Sequence, residues 1–214
     1  MYKLCRRLAM AGAFAALTGV GTAGAAPPRT PAQRPSLLGG LPPASLGGPC
    51  LRSGEAYLRA QIRGAVRLNV DLRGAQLSCE GGPRFNGSGI RLGFEGRDGG
   101  RQVRMVFGID GAREGRPGRE LPTNLTVIFE GERQLFATQG DGNCTVDRLE
   151  QERIGAATGP NPAARGGPRM RSYRVVAHGF CIAPANDLSG KRRILVTTFD
   201  FAGRADFEQT PRQK

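Results

Sequence analysis

From Leu58 to Arg73 the chain alternates without a break. Leu58, Ala60, Ile62, Gly64, Val66, Leu68, Val70 and Leu72 take every second position, and Arg59, Gln61, Arg63, Arg67, Asn69, Asp71 and Arg73 take most of those between. A helix turns once in 3.6 residues and would spread the first set around its circumference, whereas an extended strand puts it all on one face. A strand of this length bends or breaks, and Gly64-Ala65 is the place for the bend or turn. The same period returns in Ile90-Leu92-Phe94, Val103-Met105-Phe107-Ile109, Leu125-Val127-Phe129 and Leu195 to Phe201, with further candidate strands at Leu135 to Thr138, Thr145 to Leu149 and Tyr173 to Phe180.

Between these runs lie Glu80-Gly81-Gly82-Pro83, Asn86-Gly87-Ser88-Gly89, Arg97-Asp98-Gly99-Gly100, Gly115-Arg116-Pro117-Gly118 and Gly140-Asp141-Gly142-Asn143. Glycine supplies positive φ and proline fixes it, so clusters at this spacing mark chain reversals. No segment combines helical periodicity with caps. The expected fold is all-β: an antiparallel β-sandwich of about eight to ten strands, immunoglobulin-like or jelly-roll in topology. An outer-membrane barrel is a poor fit, because it needs aromatic girdles and the chain has no Trp and only 3 Tyr.

Residues 1–25 read as an export leader, with Lys3, Arg6 and Arg7 ahead of an apolar or small stretch from Leu8 to Val20 and Ala23-Gly24-Ala25 as a cleavage site. The apolar run is short of the roughly 20 residues a bilayer span requires. Arg6-Arg7 before a weakly apolar core is compatible with the twin-arginine route as well as the general secretory route. Residues 26–49 hold seven prolines among Gly and Ser and read as a linker, the folded domain is placed at 50–208, and 209–214 read as a disordered tail. The expected location is periplasmic or secreted.

In that oxidising setting, Cys50, Cys79, Cys144 and Cys181 form an even set once Cys5 leaves with the leader. Cys144 and Cys181 each end a candidate strand on either side of one long loop, which predicts Cys144–Cys181 and leaves Cys50–Cys79. The spacing lacks the Cys-x-x-Cys or His pairs of a zinc site, and neither metal nor cofactor is expected.

Cleavage leaves 28 Lys plus Arg against 18 Asp plus Glu, a net charge of +10 for the mature chain. Such a surplus favours encounter with anionic surfaces, although arginine scattered over a solvated face accounts for it equally well. Arg59, Arg63, Arg67 and Arg73 share one face of the alternating segment and are the candidate anion-binding residues. They lack the interleaved aromatics that single-stranded nucleic acid requires.

Few residues of the chain are patterned for catalysis. His178 is the only histidine, it falls on the same strand face as Arg174, Val176 and Phe180, and it reads as an ordinary strand residue. No nucleophile elbow or phosphate loop is present. Asp71, Glu95, Asp110, Glu130, Asp147 and Asp200 lie on or beside strands and would serve a hydrolase only if two of them converged. Asp141-Gly142-Asn143 offers too few oxygens for calcium. Asn86, Asn124 and Asn143 each begin an Asn-x-Ser/Thr triplet.

The expected function is a non-enzymatic binding or structural role in the cell envelope, with an anionic envelope polymer or another exported protein as partner. The alternatives are a secreted hydrolase using sheet carboxylates and a subunit that docks through an exposed strand edge. Oligomeric state is not legible.

Overall fold

The computed structural model describes residues 50–51, 55–154 and 170–208. The segments expected to be a leader (1–25), a linker (26–49) and a tail (209–214), together with residues 52–54 and 155–169, lie outside the described residues. Eleven strands form one antiparallel sheet: β1 Tyr57–Gly64, β2 Leu68–Arg73, β3 Leu77–Pro83, β4 Gly89–Asp98, β5 Arg101–Asp110, β6 Gly118–Glu130, β7 Gln134–Ala137, β8 Cys144–Ile154, β9 Met170–Cys181, β10 Ala185–Asp187 and β11 Arg193–Glu208. The period-2 runs are thus strands, and the long run from Leu58 to Arg73 is a hairpin that reverses just after Gly64 (φ 109°). Three-residue β10 is too short to show a period, which is why the sequence does not reveal it. No helix among the described residues is long and apolar enough to cross a membrane.

The strand order is β2-β1-β11-β10-β7-β6-β5-β4-β3, and β8–β9 form a second bridge between β6 and β11. The two ends of the sheet, β2 and β3, are consecutive in the chain and joined by a single short turn at Gly74–Gln76. The sheet therefore folds back on itself into a sandwich, and its inner face is lined by the apolar half of each alternation. Phe94 and Phe107, from β4 and β5, meet Phe199 and Phe201 from β11, with ring centroids 4.9 Å apart for Phe94–Phe201 and for Phe107–Phe199, and 4.8 Å for Phe107–Phe201. All four rings are essentially inaccessible to water. Truncating a ring so placed costs about 3–5 kcal/mol.

Two local devices let the layers close. A Cβ on Gly81 would stand 2.4 Å from the carbonyl oxygen of Arg204, so only glycine lets β3 lie against the C-terminal half of β11. The disulfides are those the spacing predicted. Cys144 and Cys181 are register partners at the ends of β8 and β9, and Cys50 is tied to Cys79 on β3.

Two bulges re-aim side chains. On β11 the register slips between Gln61/Thr198 and Ile62/Val196, leaving Thr197 as the extra residue. On β8 it slips between Val146 and Arg148, leaving Asp147 extra. Each bulge resets the in–out alternation, so Asp147 and Arg148 both turn away from the core while Val146 and Leu149 are buried.

Candidate functional site

The hairpin brings the four candidate arginines to two different places. Antiparallel pairing sets Tyr57 opposite Arg73 and Arg59 opposite Asp71, and the other edge of β1 sets Arg59 opposite Asp200. The Arg73 guanidinium donates two 2.8 Å bonds to Asp71. Arg59 lies 3.7 Å from Asp71 and 3.8 Å from Asp200, and stacks over the Tyr57 ring at 5.0 Å. These two cations thus sit in a row that alternates in sign. The Asp71 carboxyl is held below its ordinary range by the hydrogen bond from Arg73. The Tyr57 hydroxyl is pushed up by burial and by donating to Asp200 at 2.8 Å.

This row borders a recess of about 430 Å³ on the outer face, walled by Arg59, Asn69, Asp71, His178 and Asp200. The β8 bulge aims Asp147 at His178, whose Nδ1 is 3.1 Å from an Asp147 carboxylate oxygen. His178 is itself 58% exposed. Asp71, Asp147 and Asp200 therefore gather around one surface, as the hydrolase alternative required, with Arg59 between Asp71 and Asp200 and near both carboxylates. The other sheet carboxylates serve different arginines. Glu95 and Glu130 flank Arg104 at 2.7 and 3.1 Å, and Asp110 takes Arg84 at 3.3 Å. Among the described residues no group of three or more His, Cys, Asp or Glu is placed to hold a metal ion.

Arg63 and Arg67 go to the opposite end of the hairpin. There the β1–β2 turn docks on the start of β11, with the Ala65 amide donating to the Arg193 carbonyl at 2.9 Å. The turn between β10 and β11 contributes Lys191, Arg192 and Arg193, all exposed. Arg63 donates only to neutral oxygens: its own strand's Ile62 carbonyl at 2.9 Å and Asn69 Oδ1 at 2.8 Å. The acid of this turn, Asp187, is turned inward on its own loop, accepting from the Ser189 hydroxyl at 2.9 Å and the Lys191 amide at 3.0 Å. Five cations therefore meet at one end of the sandwich, and no ion pair among the described residues engages any of them. Leu188, 88% exposed, stands at the tip of the same turn.

Arg63 and Arg67 are among the candidates expected from the sequence, and Lys191, Arg192 and Arg193 are not. A run of three cations before a closing strand was a visible signal; its proximity to Gly64–Arg67 was not. Charge is also segregated along the chain. All 18 acids fall within the described residues and face 21 of the 31 Lys plus Arg, while the remaining ten cations lie in segments with no acid at all. No family model, no curated protein and no solved structure matches the chain.

Proposed function

We propose that the protein is an exported, non-enzymatic binding protein of the cell envelope, and that it recognises an anionic envelope polymer at the end formed by Arg63, Arg67, Lys191, Arg192 and Arg193. Export rests on residues 1–25, whose order of charge, apolar stretch and small residues suits a leader, and is in keeping with two disulfides. The observation that carries the binding reading is the convergence of two separate turns, fixed by the Ala65–Arg193 hydrogen bond, into a cluster of cations without acid partners. On the strand face Arg59 and Arg73 already spend their charge on Asp71 and Asp200, and an incoming anion would have to displace those carboxylates. Guanidinium groups lose less hydration than ammonium on ion pairing and match phosphate and carboxylate oxygens in pairs, which suits four arginines and one lysine to such a ligand.

The test is binding of the protein to a phosphorylated glycolipid and to an acidic polysaccharide across a salt series. Each engaged cation releases about 0.7–0.9 counterion, so five contacts give a log–log slope near −4, and changing Lys191, Arg192 and Arg193 to Gln removes about 2–3 units of it. The Arg59→Gln/Arg73→Gln pair leaves the slope in place. An equal loss from that pair, or no loss from the triple variant, refutes the assignment.

A further inference from the structure

A second concavity lies on the outer face of the other layer, far from the charged turns in sequence and built on different chemistry. It holds about 350 Å³ between the β3–β4 turn and the strands β4, β5 and β6, lined by Arg84, Phe85, Asn86, Arg91, Asn124 and Thr126. Ligand sites of small molecules begin at about 300 Å³. Its floor is low because Gly108 presents no side chain there. A Cβ on Gly108 would stand 2.4 Å from Asn124 Oδ1, so the glycine is what allows the Asn124 amide to lie across the floor.

Three features of this groove point the same way. First, Phe85 is 101% exposed at the tip of the turn, the most exposed large apolar side chain of the described domain, and it stands at the groove's edge as a free aromatic face. Second, the cations are already balanced. Arg84, only 14% exposed, bridges Asp110 at 3.3 Å and Asp141 at 3.0 Å, and Arg91 pairs with Glu80 at 2.8 Å. Two cations thus face three carboxylates, and the groove carries no surplus positive charge to offer an anion. Third, its polar groups are neutral and set in place. Asp141 accepts the Asn124 amide N–H at 2.6 Å, which orients Oδ1 over Gly108 as an acceptor. Ser88 donates its backbone N–H to Asn86 Oδ1 at 3.1 Å, leaving the Asn86 NH₂ as a donor beside Phe85. The Thr126 hydroxyl completes the lining.

An aromatic face next to side-chain amides, a hydroxyl and an internally neutralised Arg–Glu pair is complementary to a ring that is apolar on one face and carries hydroxyls around its rim. We infer that this groove binds a pyranose ring of a neutral saccharide, with the ring's C–H face on Phe85 and its hydroxyls on Asn86, Asn124, Thr126 and the Arg91–Glu80 pair. The site is independent of the cationic end. It also gives Asn86 and Asn124 a role that their Asn-x-Ser/Thr triplets do not: both amides are engaged in holding the groove's geometry.

The experiment titrates the purified, disulfide-intact protein with chitotriose, maltotriose and cellotriose, followed by chemical-shift changes of the Asn86 and Asn124 side-chain amides. At least one saccharide is expected to bind saturably and to shift those signals. Phe85→Ala weakens that binding about five- to tenfold and Phe85→Tyr restores it, the range expected for loss of one aromatic contact. Because Phe85 packs against nothing, the thermal midpoint of Phe85→Ala equals that of the unaltered protein. Changing Lys191, Arg192 and Arg193 to Gln leaves saccharide binding unchanged, so the two sites fail or stand separately. Absence of saturable binding to all three sugars, or binding that Phe85→Ala does not weaken, overturns the inference.

Discussion

The disulfides provide a quantitative test of how this sandwich is stabilised. Cys144–Cys181 closes a separation of 37 residues, which in the chain-entropy description restricts the unfolded state by about 3.8 kcal/mol at 25 °C. Cys50–Cys79 closes 29 residues, for about 3.6 kcal/mol by the same relation. Loop length thus makes the two nearly equal, although their native settings differ. Cys144 and Cys181 are paired in the ladder between β8 and β9, and Cys50 lies outside every strand and is anchored to Cys79. Replacing each pair by alanine should therefore cost about 3–5 kcal/mol in both cases, once a small cavity contribution is added for sulfurs that are buried. For a domain of this size that lowers the thermal midpoint by roughly 8–15 °C. Urea unfolding of both double variants, analysed for midpoint and slope, is the assay. The slope m should rise in each, because the freed unfolded chain exposes more surface. If one variant loses under about 1 kcal/mol, or the two differ by more than about 2 kcal/mol, then native-state packing, not loop closure, sets the contribution, and the entropic account fails.

Phe201→Ala removes the ring shared by Phe94 and Phe107 and should destabilise by about 3–5 kcal/mol while leaving the salt slope of polyanion binding untouched; denaturation and the salt series together check it. Glu114 lies against Arg171, with Oε2 2.8 Å from Nη2, and the hydrogen bond from Arg171 holds its carboxyl below the usual 4.5. Its folded value is depressed, so its contribution is complete above the unfolded value and disappears as pH falls through the folded one. Unfolding midpoints measured from pH 7 down to pH 2 should show Glu114→Gln less stable than the unaltered protein at neutral pH and level with it in acid. A gap that persists at the lowest pH would mean that the ion pair is not its source.

Much of the fold was legible in the chain because the relevant physics is local. A period of two specifies a strand with one buried face whatever its neighbours are, and Gly-rich clusters specify reversals. The cysteine pairing was also readable, since Cys144 and Cys181 end the two strands that flank one loop. The candidate site was legible only in part. Arg59 and Arg73 carry the same sequence signal as Arg63 and Arg67, and nothing in residues 58–73 tells the charge-compensated pair from the uncompensated one.

That distinction depends on register between residues far apart in sequence. Asp200 reaches Arg59, and Arg193 reaches the turn after Gly64, only because β11 pairs with β1 in one alignment; a slip of one residue would invert which side chains face out. The sequence by itself determined an all-β, disulfide-bonded chain with its cations partly segregated from its acids, because composition, periodicity and cysteine spacing are properties of the chain. Which arginines have a carboxylate partner, which carboxylates meet, and where Phe85 stands beside a groove were decided by the tertiary structure, because a cation's availability depends on what the packed neighbours bring within a few ångströms of it.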